Sequence, residues 1–293
     1  MIKSILATGL LSIITINFSI AQQPQKLWYK QPAKEWTEAL PVGNGRLGAM
    51  VFGGVADELL QLNEATLWTG GPVRTNVNPG AYNNLIKARA ALFNGEDYAK
   101  AYEFAKGMQG YYSESYLPLG NMMIHQNFKD TTVSSYYRDL NIDDAIATTS
   151  FTIGGVKFIR QVISSAPDKV IVVRLTANKP GQLNFTINAN SQLKHLLLQI
   201  SNSEIAVKGK APSHIEPSYV NSDNPQAPDD TTGCRGMRFE YRIKAVSKDG
   251  KITSDTNGIT IKNATEVLVF LLPPPVLTAL INAQMQKGKM KVN

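Results

Sequence analysis

Leu183, Phe185 and Ile187 alternate with polar neighbours, and Met237, Phe239, Tyr241 and Ile243 repeat the pattern further along the chain. A period of two sends successive side chains to opposite faces of a strand, so each run offers one face to a core. No other feature limits the fold as strongly. Residues 151–153 and 156–158 flank Gly154-Gly155, which predicts a hairpin with a two-residue turn. Residues 170–175 form a continuous apolar run, expected of a strand covered on both faces. Lys248-Asp249-Gly250 marks another turn, and residues 267–271 form the last clear strand. Many short strands joined by turns predict an all-β antiparallel sandwich. The strongly helical region lies ahead of them. Leu85, Ile86, Ala90 and Phe93 fall at helical spacing before Asn94-Gly95, and Tyr98, Tyr102 and Ala105 share a face of the next segment. This predicts a helical hairpin inserted into the β domain, with both apolar stripes packed.

Residues 27–72 hold all three tryptophans (Trp28, Trp36 and Trp68) and a run of glycines. Gly43, Gly45 and Gly48 bracket Asn44 and Arg46, so a tight turn presents a polar pair there. Residues 49–52 read as a buried strand closed by Gly53-Gly54, and residues 59–64 as the returning strand, with Trp68 in the following loop. Asn44, Arg46, Glu64 and Trp68 are therefore candidate substrate-binding residues. An amide, a guanidinium and an indole suit hydroxyl-rich rings through directed hydrogen bonds and an apolar face. A structural role is open to the same residues and fits the turn-forming glycines better. In that role Arg46 and Glu64 form an ion pair, and Trp68 fills core or interdomain space.

The run W-x-E-A-L-P-V-G-N-G-R-L-G-A-M-V-F-G-G, followed by Q-L-N-E-x-T-L-W-x-G-G-P, resembles the start of glycoside hydrolase family 95, the inverting α-L-fucosidases with some α-L-galactosidases. Further matches follow in order at residues 115–120, 144–148 and 170–175, so the resemblance covers residues 27–271. It implies a two-sheet, galactose-mutarotase-like supersandwich over residues 22–271. It also implies that catalysis resides in a downstream (α/α)6 barrel. There a glutamic acid protonates the leaving oxygen, while asparagines helped by an aspartate activate the water, the arrangement inversion requires. The implied substrate is a fucosylated glycan, with no cofactor and no metal, and no catalytic residue is expected in this chain.

Residues 1–21 read as a secretory signal peptide: Lys3, an apolar stretch over 5–20, then Ser19-Ile20-Ala21 before Gln22. Thr15, Asn17 and Ser19 interrupt that stretch and argue against a membrane anchor. The single cysteine, Cys234, can form no internal disulfide, and a secreted chain without a disulfide framework points to a bacterial periplasm. Cys234 reads as an inert thiol. The net charge of +7 falls to +3 without Lys3, Lys287, Lys289 and Lys291, and no basic cluster remains to bind nucleic acid. His125, His195 and His214 are scattered and show no metal-ligand spacing. The neighbouring acids Asp57-Glu58, Asp143-Asp144 and Asp229-Asp230 point to opposite faces of any strand, so turn and solvated roles fit them. Residues 212–228, with four prolines, read as a long loop.

Residues 272–293 fit neither a strand nor the family pattern. A permissible coding sequence for them, read from its third base, gives Ala-Ala-Thr-Ser-Phe-Asn-Gly-Phe-Asp-Lys-Cys-Pro, which resembles what family members carry after this strand. The expectation is a frameshift near Leu271, an out-of-frame tail, and a missing barrel that would pack on this domain. Two other functions are compatible with the sequence. One is a stand-alone carbohydrate-binding or scaffolding module. The other is a mutarotase-type enzyme, which needs a histidine and a carboxylate converging in one cleft.

Overall fold

A computed structural model describes residues 25–71, 77–95, 97–110, 112–221, 223, 226–227 and 236–272. The expected signal peptide, Cys234, Asp229-Asp230 and residues 273–293 of the expected tail lie outside the described residues. Leu272, expected to open that tail, instead ends the last strand, buried and paired with Arg242. The strands in chain order are β1 (Lys26–Tyr29), β2 (Leu40–Gly43), β3 (Leu47–Val51), β4 (Asp57–Glu64), β5 (Gly120–Gln126), β6 (Val133–Asn141), β7 (Ile146–Ile153), β8 (Val156–Ser165) and β9 (Val170–Ala177). They continue as β10 (Leu183–Asn190), β11 (Lys194–Ser201), β12 (Glu204–Lys210), β13 (His214–Ile215), β14 (Gln226–Ala227), β15 (Arg238–Ser247), β16 (Lys251–Asp255), β17 (Gly258–Ala264) and β18 (Glu266–Leu272). A nine-stranded sheet runs β1-β6-β7-β8-β9-β18-β15-β12-β11, and a seven-stranded sheet runs β16-β17-β10-β5-β4-β3-β2. The expected antiparallel sandwich is the fold.

The period-two pattern explains why the sheets stack. In β10, Leu183, Phe185, Ile187 and Ala189 are buried, and Ile187 pairs with Ile124 and Ala189 with Met122 across to β5. In β9, Ile171, Val173 and Leu175 join the main core, while Val170 and Val172 meet Phe270 and Leu272 in a smaller cluster on the other face. The unbroken apolar run thus serves both faces of its sheet. The glycine turn also forms as expected, with Gly154 at φ 57° and Gly155 at φ 69° between β7 and β8.

The hairpin inserted between β4 and β5 consists of α1 (Ala81–Gly95) and α2 (Tyr98–Lys106), the second capped by Asp97, whose carboxylate accepts from the Lys100 amide at 2.9 Å. Its expected packing is corrected by the structure. Ala88 and Ala101 are the buried residues of the two helices, whereas Phe93 is 82 % exposed and Tyr98 73 %. The apolar stripes exist, but the helices pack on each other through small residues, which leaves the large side chains facing outward. No described helix is long and apolar enough to cross a membrane.

A second correction concerns Glu58. Asp57 is exposed as expected, but Glu58 points inward and is buried. It sits in a polar node under the β3–β4 connection. The carboxylate accepts from the Gly53 amide at 2.8 Å and lies 3.5 Å from the Arg160 guanidinium, which is also buried. Tyr136 donates its hydroxyl to the Gly53 carbonyl at 2.6 Å. Gly53 has φ +73°, and a Cβ there would meet Arg138 Cδ and Tyr136 Oη at 2.8 Å, so only glycine fits this turn.

Candidate functional site

The β2–β3 hairpin places the polar pair of the glycine motif. Asn44 Oδ1 accepts from the amides of Arg46 at 3.1 Å and Leu47 at 2.8 Å, which forms the tight turn. Its Nδ2 donates to the carbonyl of Ser165 at 2.9 Å, at the end of β8 in the opposite sheet. Asn44 therefore spends its amide on the turn and on tying the two sheets together.

Arg46 leaves the same turn and donates from Nε to Glu64 Oε1 at 2.7 Å. The register explains the meeting, because Leu47 pairs with Glu64 across β3 and β4. Glu64 Oε2 accepts from the Thr66 amide at 2.8 Å and the Thr66 hydroxyl at 2.6 Å. Burial pushes the Glu64 carboxyl up, but the bonds from Thr66 and Arg46 outweigh it and hold the group below its usual range. It is thus an ionised anchor. Arg46 and Glu64 line a cleft of about 150 Å³, closed on the far side by Met237, Arg238 and Phe239 at the start of β15. Asn44 and Trp68 do not line it.

Trp68 lies beyond Glu64, bridged to Tyr116 in an isolated antiparallel pair. Its indole donates to the Ala65 carbonyl at 3.1 Å, and its ring centroid lies 5.3 Å from that of Tyr116. The indole is 41 % exposed, so it does not fill the core. The four residues therefore divide three ways: Asn44 in the turn, Arg46 with Glu64 in the cleft, and Trp68 on an open aromatic surface.

The fold sets two of the scattered histidines against carboxylates. His214 lies between two carboxylates, with Nδ1 3.2 Å from Glu114 Oε2 and Nε2 3.3 Å from Glu216 Oε1. Glu114 also accepts from the Thr69 hydroxyl at 2.6 Å. Glu216 is two residues from His214 and was visible as a neighbour, but Glu114 is a hundred residues away and reaches it only through loop packing. Among the described residues, no group of three or more such side chains is arranged to hold a metal.

His125 Nδ1 lies 2.5 Å from Asp57 Oδ1. The bond to Asp57 raises the imidazole above its ordinary range. A raised folded-state value means that the contribution to stability is full below the unfolded range of about 6.5 and fades as pH climbs through the folded value. Asp57→Asn is expected to bring the His125 titration, followed by NMR, back toward that range. An unmoved midpoint would show that the contact does not persist in solution.

Compared with known proteins, residues 27–272 match the family model described as glycosyl hydrolase family 65, N-terminal domain. Alpha-L-fucosidase 2 of Arabidopsis thaliana is 38% identical over 175 residues, which is 59% of this chain and 20% of that protein. The probable alpha-fucosidase A of Aspergillus niger is 32% identical over 182 residues, 59% of this chain and 22% of that protein. Its namesake in Aspergillus oryzae is 30% identical over 177 residues, 57% of this chain and 24% of that protein. The aligned part thus spans about a fifth to a quarter of these relatives. Among solved structures, a putative kojibiose phosphorylase from human microbiome superposes with a TM-score of 0.45 at 7% identity, over 92% of this chain and 36% of that one.

Proposed function

The chain belongs to the family of glycosyl hydrolase family 65 N-terminal domains, and on that premise we propose that it is the N-terminal β-sandwich module of a secreted glycoside hydrolase that removes terminal α-L-fucosyl groups from glycans. The similarity to three fucosidases carries the reading. The chemistry belongs to a catalytic barrel that packs on this module in the intact enzyme, and inversion there needs an acid and a water-activating base on opposite faces of the sugar. The module contributes contacts at the rim. Arg46 engages Glu64 through Nε, so the remainder of its guanidinium fork can meet sugar hydroxyls. Residues 1–21 export the chain, to the periplasm in a bacterium.

The test is release of L-fucose from the trisaccharide α-L-fucosyl-(1→2)-β-D-galactosyl-(1→4)-D-glucose, followed by NMR. The chain alone is expected to release none. The longest polypeptide encoded at the locus is expected to release it with inverted configuration. Turnover by the chain alone would move catalysis into the sandwich. Release only of L-galactose, from the corresponding α-L-galactoside, would replace the specificity.

A further inference from the structure

Three loops meet beside the candidate cleft. The segment after β4 pairs with the segment before β5: the Thr69 amide donates to the Ser115 carbonyl at 2.9 Å, and the Leu117 amide to the Leu67 carbonyl at 3.0 Å. The loop after β12 joins them where the Gly70 amide donates to the Pro212 carbonyl at 3.4 Å. The isolated bridge between Trp68 and Tyr116 sets their side chains on one side, and the Thr69 hydroxyl, donating to Glu114 at 2.6 Å, ties that carboxylate to the same pair of segments. The Glu114 side chain lies over Gly70, where a Cβ would come within 2.7 Å of it. Glycine leaves the room the carboxylate occupies.

Among the described residues, four aromatic rings stand out from these loops: Trp68 at 41 % exposure, Tyr116 at 42 %, Tyr112 at 53 % and Tyr219 at 75 %. They form two pairs, Trp68 with Tyr116 at 5.3 Å and Tyr112 with Tyr219 at 5.8 Å. The Glu114–His214–Glu216 cluster shares the same three loops, since Glu114 lies between Tyr112 and Tyr116 and His214 precedes Tyr219. With both imidazole nitrogens facing carboxylates, the polar groups are held in fixed positions. Paired exposed rings edged by polar groups are the kind of surface patch that marks a binding site.

We propose that these loops form a saccharide-binding platform, distinct from the Arg46–Glu64 cleft, that takes consecutive rings of a neutral oligosaccharide. Sugar rings present apolar C–H faces and a rim of hydroxyls. The two aromatic pairs match the faces, Glu216 and the tyrosine hydroxyls match the rim, and His214 holds Glu216 in place. The proposal rests on the glycan-directed reading above for the class of ligand, but it needs no catalytic residue.

The experiment is an NMR titration of the full chain with the fucosylated trisaccharide, following the indole N–H signals. The Trp68 signal is expected to shift and saturate, while those of Trp28 and Trp36 stay in place. Trp68→Ala and Tyr219→Ala, the second at a side chain too exposed to disturb folding, should each weaken affinity at least tenfold when followed by calorimetry. Tyr102→Ala, which removes an exposed ring from α2, should leave affinity unchanged. If the trisaccharide does not bind, or if both platform variants bind as well as the parent, the platform is a protein contact and the proposal is overturned. Binding that is lost in these variants supports it even where the longer polypeptide hydrolyses no fucoside, an outcome that removes only the hydrolase reading.

Discussion

Arg160→Met is expected to lower folding stability by about 3–5 kcal/mol, because it removes one partner of a buried ion pair and leaves the other uncompensated. Arg160 and Glu58 are each 2 % exposed. The guanidinium does more than face the carboxylate at 3.5 Å. It donates to the Val55 carbonyl at 2.6 Å and to Gln126 Oε1 at 2.9 Å, and it also holds the Gly54 carbonyl. One side chain from β8 thereby fixes the β3–β4 connection of the opposite sheet, and methionine can replace none of those bonds. Burial already pushes the Glu58 carboxyl up, and the charge of Arg160 is the largest influence opposing it. Without Arg160, Glu58 should take up a proton. A carboxyl with a raised folded-state value stabilises fully below the unfolded range of about 4.3 and loses that contribution as pH rises through the folded value. The variant should therefore lose further stability above that range, relative to the parent. Glu58→Gln keeps an acceptor for the Gly53 amide and should cost only about 1–2 kcal/mol. The double variant should cost less than the two single losses combined. Guanidinium denaturation of the four proteins decides the matter, and a loss below about 1 kcal/mol for Arg160→Met would mean that water reaches the node.

Most of the sandwich can be read from the period of two, and the failures have a common cause. Glu58 is in phase with Leu60 and Leu62 in β4, Gln126 with Met122 and Ile124 in β5, and Arg160 with Phe158 and Val162 in β8. Each is a polar residue on the inward phase of its strand, and that was the available signal. Reading the acids as adjacent pairs hid it. In the site, Arg46 and Glu64 meet because their hairpin register is local, which is why an ion pair between them could be expected. The Glu114–His214 contact has no such origin, since it depends on how two loops far apart in the chain are laid together. The helices show the opposite failure. Their apolar stripes are genuine in sequence, but periodicity says which face is apolar and not whether anything covers it. In the structure Phe93, Tyr98 and Tyr102 remain exposed.

Phe151→Ala is expected to cost about 3–5 kcal/mol, combining the lost transfer energy with the cavity left in a core that relaxes only partly. Phe151 is fully buried and pairs directly with Phe158 across β7 and β8. The rings of these two stack at 5.5 Å, and Phe128 closes edge-on against them at 5.9 Å and 5.2 Å. Such pairs add about 0.5–1.5 kcal/mol beyond the area they bury, so truncation forfeits two of them. Leucine keeps more of the volume and should cost markedly less, so Phe151→Leu separates ring geometry from cavity size. Phe151 also carries the Arg160 guanidinium 5.0 Å above its ring, so the aromatic trio and the polar node share a surface. Removing the ring leaves that guanidinium beside a void, which should couple the two sites by about 0.5–3 kcal/mol in a double-mutant cycle with Arg160→Met. Strict additivity in the cycle would mean that the ring does not support the guanidinium. A loss below about 2 kcal/mol for Phe151→Ala would mean that Phe128 and Phe158 collapse into the space, leaving the Arg160 node as the stronger link between the two sheets at this end.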